Sequence, residues 1–538
     1  MTKKPYRPSL LVCVMGLAAP GLASETPVPL APQVPAAAAA PVPDQPQPPK
    51  AMPPIEKLAL PEEQPQLAEL MRSLGNVNRR DPKAMLAAFD DTLAKLSRPT
   101  MLRGSVQMAR AIALEAMDRH AEATAAVEEA IRLLPGYAGP LLLAANVYLY
   151  SNNPGLASDA IVRASEIDPE DVRRLPDYET SAVMARLDAI RDQTRARILG
   201  DRLLAIGWTG LGVRSRSELA AMAIRRAVGQ GDIDRARSLI PNLLDPGASY
   251  DLLADATYRD LWPDLEKWGG PRLSSQWEMY LNEARSRWAA SENLERGSDY
   301  ATALRTAGDY VTLISDFLPL YDKPLNPERD WPLLFVAPKL ASALATLGRI
   351  QDALALYDKA SQVWPIGSSA NALNLYANKA TALLYADSPD DALAQIDAAI
   401  ADSHRWPGEV NVDAIAGMHQ ARACILHALG RDNEAAISAA VAAQAGHARQ
   451  RAEVALCMGR PAEARAALLR AFSIPAERGA AIAFMQPEGS PPIPTAYGRK
   501  RRADEDALRQ DPQLLAALQP YGRILPFALG DGARKPTK

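Results

Sequence analysis

The stretch GSVQMARAIALEAMDRHAEATAAVEEAIRLLP, residues 104–135, is followed almost at once by AGPLLLAANVYLYSNNPGLASDAIVRASEIDP, residues 138–169. Small residues and a closing proline fall at Ala111, Ala123, Ala130 and Pro135 in the first, and at Ala145, Ala157, Ala164 and Pro169 in the second, each 34 residues later. Four coincidences at one offset define an internal repeat. Two antiparallel helices of about 12 to 14 residues and two short turns fill such a period, and one hairpin alone leaves its apolar face in water. Stacking on neighbours covers it. Alanine at the repeated positions lets adjacent helices approach closely, Tyr148 and Ile161 fill the space beside them, and proline ends the second helix.

The signature returns further along. Leu347-Gly348-Arg349 with Asp352-Ala353-Leu354, Tyr357, Ala360 and Pro365 makes a complete unit, with Gly348 in the turn between its helices. The register continues in Ala380, Asp391-Ala392-Leu393, Ile396 and Ala399, then in Leu429-Gly430-Arg431 with Ala435 and Ala442, then in Met458-Gly459-Arg460 with Ala464 and Ala471. From Ala353 to Ala392, Ala435 and Ala464 the intervals are 39, 43 and 29 residues, so the units vary in length. This order of small, small, large, small and proline resembles the tetratricopeptide repeat (TPR), although the early tryptophan of that pattern is missing from the first two units. The resemblance covers roughly half of the chain. It implies an all-α fold, an α-solenoid of TPR-like helical hairpins with a disordered N-terminal segment, whose role is to hold protein or peptide partners.

Composition agrees with helices. Hydrophobic residues make up 48% of the chain and aromatic residues 6%, with alanine dominant, which favours closely packed helices over sheets. Sixty basic and 63 acidic residues give a formal net charge of −3, so no global footprint for nucleic acid exists.

The first 23 residues read as an export signal: Lys3, Lys4 and Arg7, an apolar run from Ser9 to Ala19, and Gly21-Leu22-Ala23 before the cut. That run is about 11 residues, against roughly 20 for a spanning helix, so cleavage rather than anchoring is expected, with no transmembrane segment in the mature chain. Losing three basic residues and no acidic one takes the charge from −3 to −6. A periplasmic location follows as the expectation.

Residues 24–65, with Pro41-Val42-Pro43 and Pro46-Gln47-Pro48-Pro49, read as a disordered or polyproline-like tether. After it come N-terminal TPR-like repeats over 66–170, divergent helical hairpins over 171–332, and C-terminal TPR repeats over 333–475. A tail over 476–538 carries the basic run Arg499 to Arg502, a short helix expected from Asp504 to Leu518, and the apolar Ile524-Leu525-Pro526-Phe527. The tail either folds back to cover the last apolar face of the array or waits for a partner. The basic run is expected to be solvated, with contact to an anionic membrane or another acidic surface as its alternative.

Nothing in the sequence names a catalytic residue, cofactor or metal. No nucleophile elbow, phosphate-binding loop or metalloprotease helix is present, and Gly207 to Gly212 is glycine-rich after helical rather than strand sequence, hence a loop. His120 falls in a repeat turn and is expected to be a solvated loop residue. Cys424 and His427 with His447 and Cys457 lack the close ligand pairs of zinc sites. Cys424 and Cys457 are expected to be small buried apolar residues, or a disulfide if the compartment oxidises and their Cα atoms lie within about 7 Å.

The first helices of a TPR stack form its concave surface, where related proteins hold peptides. Positions matching that surface are Asn146 and Leu149, then Asn378, Thr381 and Leu384, then Gln420, Cys424 and His427. The asparagines stand without the lysines that carboxylate-clamping members place beside them, so a carboxylate clamp is not implied. The expected function is a scaffold or adaptor in an envelope process. Two rivals are an enzyme or enzyme subunit with a ligand pocket among Trp208, Trp262, Trp268, Trp277 and Trp288, and a structural spacer; for those tryptophans, packing between irregular helices is the expected role.

Overall fold

The computed structural model describes residues 52–77, 81–175, 177–208, 213–290, 294–406, 410–446 and 448–533. Among them the chain forms α-helices, short 3-10 turns and one isolated β-bridge. It packs as two compact units, Met1–Gly210 and Leu211–Lys538. The export signal and most of the tether lie outside the described residues.

In the N-terminal unit four hairpins follow one another: Gln64–Asn76 with Pro82–Lys95, Met101–Glu115 with His120–Leu133, Ala138–Tyr150 with Pro154–Ile167, and Asp177–Ala189 with Gln193–Ala205. Side-chain caps start several of these helices. Asp81 accepts from the Lys83 and Ala84 N–H groups, Thr100 from Arg103, and Asp192 from Arg195, satisfying donors that the first turn leaves orphaned. The alanines that define the period lie where close approach demands them: Ala111, Ala123, Ala130, Ala157 and Ala164 are fully buried and Ala145 nearly so. Tyr148 and Ile161 are buried beside them.

Of the segment expected as a tether, residues 52–65 are described. They carry two short 3-10 turns and are held by their own contacts: Leu58 is buried, and Glu63 accepts from the Leu60 N–H and, at 2.6 Å, from the hydroxyl of Thr100, which caps the second hairpin. Proline content pointed to a coil, but one apolar anchor and one satisfied carboxylate hold this stretch down.

The C-terminal unit begins irregularly, with helices Val213–Gly229, Ile233–Leu239, Pro246–Ala254, Trp262–Gly269 and Ser274–Ala289. Regular hairpins follow: Gly297–Ala307 with Tyr310–Tyr321, Leu333–Thr346 with Ile350–Val363, Leu373–Tyr385 with Pro389–Ser403, Val412–Ala428 with Asp432–Ala445, and Ala448–Cys457 with Pro461–Ser473. Ala353, Ala360, Ala392, Ala399, Ala435, Ala464 and Ala471 are fully buried and Ala442 nearly so. The turn inside each of the last four hairpins carries one left-handed residue, at Gly348, Asp387, Gly430 and Gly459, which lets the chain reverse within a few residues. A further helix, Pro475–Met485, packs on Pro246–Ala254, so the end of this unit returns to its beginning.

Candidate functional site

The first helices of consecutive hairpins lie side by side and make a continuous wall in each unit. On the N-terminal wall Asn146 is half-buried and donates to Glu179 Oε1 at 3.2 Å on the next first helix. Leu149, expected beside it, is instead buried at 5% exposure, and its carbonyl accepts from Arg186. Residues three apart differ by about 60° around a helix, enough here for Asn146 to stay partly exposed while Leu149 is buried.

On the C-terminal wall Asn378 is exposed and turns its amide to Asn374 O at 2.7 Å, while Thr381 donates to Ala377 O. Gln420 donates to Glu453 Oε2 at 3.0 Å on the next first helix. Leu384 is core rather than wall, packed in the same cluster as Met418 and Ile425. His427 also leaves the groove, since its Nδ1 meets Asp432 at 2.7 Å across the turn of its own hairpin. Cys424 is bonded to Cys457, with Cα atoms 5.4 Å apart, tying two consecutive first helices together. That bond replaces the expected pair of free buried cysteines: stacking brings equivalent points of neighbouring helices within disulfide range.

This C-terminal wall is occupied by the chain's own tail. After Met485 the chain runs without regular secondary structure along residues 487–494, with Tyr310 Oη 2.9 Å from Ser490 Oγ and Pro494 against Gly348. Helix Ala496–Arg509 then lies on first helices Leu373–Tyr385 and Ala448–Cys457. Tyr497 meets Tyr385 edge to face at 5.1 Å between ring centroids, and burial pushes its hydroxyl pKa up to about 12. Arg501 donates to Tyr385 Oη at 3.1 Å and comes within 3.9 Å of Glu453, which also pairs with Arg449 at 2.8 Å. Burial pulls the Glu453 pKa upward, but these guanidinium groups outweigh it and hold the carboxyl below the ordinary range.

The remainder of the tail crosses back to the start of the same unit. Asp511 caps helix Pro512–Leu518, whose Leu514 and Leu518 are buried. Ala256 N–H donates to Tyr521 O and Arg523 N–H to Ala254 O, flanking the Asp255–Gly522 bridge. The Arg523 guanidinium lies 3.8 Å above the Trp262 ring, Tyr250 Oη donates to Phe527 O, and Trp277 Nε1 donates to Leu529 O at 2.7 Å. The tail therefore folds back both along the wall and onto the last hairpin, where helix Pro512–Leu518 packs on Pro461–Ser473.

Two expectations about the tail need correction. The basic run is helical rather than flexible; Arg501 reaches Tyr385 on the wall and Arg502 the Ser490 carbonyl of the tail itself. The single helix expected from Asp504 to Leu518 is two, because Asp511 and Pro512 end one and start the next. Buried Leu508, Leu514 and Leu518 and the close-packed Gly498 and Gly522 were the available signals, but without a repeat period nothing tied them to a surface.

Between tail and wall remains a cavity of about 380 Å³, lined among others by Arg305, Ser342, Asn378, Thr381, Arg502 and Glu505. Polar groups from both the array and the tail reach it. Elsewhere the sequence candidates have structural partners. His120 opens helix His120–Leu133 and its Nδ1 lies 3.0 Å from Glu115, so it is paired rather than a solvated loop residue. Trp208 and Trp277 are buried, and Trp208, Trp262 and Trp268 donate to the carbonyls of Leu175, Leu252 and Leu243. Trp288 stacks on Tyr300 and Phe317. These contacts are those of indoles packing irregular helices. Among the described residues no group of three or more His, Cys, Asp or Glu is arranged to hold a metal ion, and no helix is long and apolar enough to cross a membrane. His447 and residues 209–212 lie outside the described residues.

The fold is an α-solenoid of TPR-like hairpins. That statement rests on the buried repeat positions and the hairpin turns. No protein-family model matches the chain, and no curated protein matches it in sequence. Among solved structures it is similar to yeast Tom70, at a TM-score of 0.31 and 12% identity over 85% of this chain and 99% of that one. It is similar to Cut9 in the APC/C hetero-tetramer Cut9-Hcn1, at 0.28 and 11% over 87% and 97%. The P58(IPK) TPR domain is matched at 0.19 and 14% over 69% and 99%.

Proposed function

We propose that this protein is an exported scaffold or adaptor, working in the periplasm in an envelope process, that holds a protein or peptide partner on the first-helix wall of its N-terminal unit. The observation that carries the reading is the contrast between the two walls. In the C-terminal unit the tail covers the wall. In the N-terminal unit Ile112, Leu142 and Asn146 are partly exposed and Tyr150 is 40% exposed, so apolar and polar side chains alternate on an accessible surface. Such a surface suits a peptide that contributes apolar anchors between hydrogen-bonding groups.

Export is supported by the N-terminal signal pattern and by the Cys424–Cys457 bond, because structural disulfides persist in oxidising compartments.

A photo-crosslinking residue at Leu142, compared with one at the exposed Val311 of the C-terminal unit, tests the reading in intact cells. A defined adduct at Leu142, absent at Val311 and weakened by Asn146→Asp, is expected in the periplasmic fraction. Equal labelling at both positions, or a protein retained in the cytoplasm, would overturn it.

A further inference from the structure

Because the tail takes the C-terminal wall, a polypeptide has no continuous path there, and what remains is a space of about 380 Å³. That volume falls at the small-ligand end of the range for binding pockets. Its walls come from two directions: Arg305, Ser342, Asn378, Thr381 and Arg449 from the array, and Arg501 and Arg502 from the tail.

The charges around it do not cancel. Glu453 serves Arg449 and Arg501, while Glu505 serves Arg501 and Arg509, with Glu488 3.9 Å from Arg509. Arg305 and Arg502 complete the set; among the described residues neither pairs with a carboxylate, and Arg502 donates only to Ser490 O at 2.8 Å. Asp506 also pairs with Arg509 at 2.8 Å, so five guanidinium groups meet four carboxylates, an excess of one positive charge, and Arg305 and Arg502 are the two that stand without a carboxylate. Lys339, next to the lining residue Pro338, adds to the field. Its amine donates to Ser298 Oγ and Phe335 O, and burial followed by repulsion from Arg305 lowers its pKa to about 8 against the opposing pull of Asp299.

We infer that this cavity binds a small dianion or trianion bearing carboxylate or phosphate groups. Arg305 and Arg502 are its primary charge partners, approaching from opposite walls, and Asn378, Thr381 and Ser342 supply neutral hydrogen bonds. Guanidinium forks match both carboxylate and phosphate geometry. A ligand held this way bridges array and tail, so its binding stabilises the closed arrangement of the C-terminal unit. The inference is independent of partner binding on the N-terminal wall.

Calorimetric titration of the full mature chain with citrate, with pyrophosphate and with glycerol as a neutral control tests it. Citrate or pyrophosphate should bind at up to millimolar concentration and raise the melting temperature; which of the two binds tighter identifies the anionic group preferred. The double variant Arg305→Gln/Arg502→Gln, which breaks no ion pair, should weaken binding by about tenfold or more while melting normally without ligand. Glu488→Gln, removing a competing carboxylate, should tighten it. Absence of binding by both anions, or affinity unchanged in the double variant, would refute the site.

Discussion

Gly522 and Asp255 form an antiparallel bridge between the tail and the irregular helices that open the C-terminal unit. A Cβ at position 522 would stand 2.5 Å from the Ala254 carbonyl oxygen, a backbone atom that cannot swing aside. Gly522→Ala is therefore expected to cost about 1 to 3 kcal/mol, as overpacking typically does. Thermal unfolding measures the loss, and limited proteolysis should show new cleavage within residues 487–533. A variant as stable and as resistant as the parent would mean that the tail is not held by this contact.

The Cys424–Cys457 bond closes a loop whose ends are 33 residues apart. Constraining the unfolded chain over that length stabilises by about 3 to 4 kcal/mol in the chain-entropy account. Cys457→Ser, or reduction, should lower the urea midpoint of the C-terminal unit accordingly. A non-reducing digest followed by mass spectrometry should recover the linked peptides, and freely titrating thiols in the purified mature protein would contradict the bond.

Lys339 sets a pH dependence. Burial and Arg305 lower its folded pKa from 10.5 to about 8, so between these values the unfolded chain binds more protons than the folded one. Its contribution to stability consequently rises as pH increases from about 8 towards 10.5, and the penalty of burying the charged amine is fully present below pH 8. Lys339→Met should stabilise the protein at neutral pH and flatten this rise. Chemical denaturation at several pH values reads both effects, and an unchanged slope in the variant would assign the dependence elsewhere.

Arg191 occupies a left-handed conformation, φ 59°, in the turn before helix Gln193–Ala205. The equivalent turns at Gly348, Gly430 and Gly459 use glycine, which carries no Cβ penalty there. Since Arg191 is exposed, Arg191→Gly should raise the stability of the N-terminal unit by about 1 kcal/mol. A lower melting temperature in the variant would show that the arginine side chain compensates for its backbone strain.

The repeat was legible because its physics is local. Alanine at a fixed offset has one explanation, helices approaching closely, and the buried Ala123, Ala157, Ala353 and Ala392 confirm it residue by residue. The groove was half legible. Asn378, Thr381 and Gln420 stand on the wall, but Leu149 and Leu384 turned inward, since a few residues of helical rotation separate wall from core and sequence spacing alone cannot fix that angle.

What the residues determined unaided was the hairpin, its turns and the need to stack, all set by contacts within one period. Only the tertiary structure decided what lies in the groove. The tail carries no repeat period, and its partners, Tyr385 for Arg501, Trp262 for Arg523 and the Ala254 carbonyl beside Gly522, come from helices remote in sequence that meet the tail only in the folded unit. The Cys424–Cys457 pairing depended in the same way on stacking, which places two first helices with their Cα atoms 5.4 Å apart.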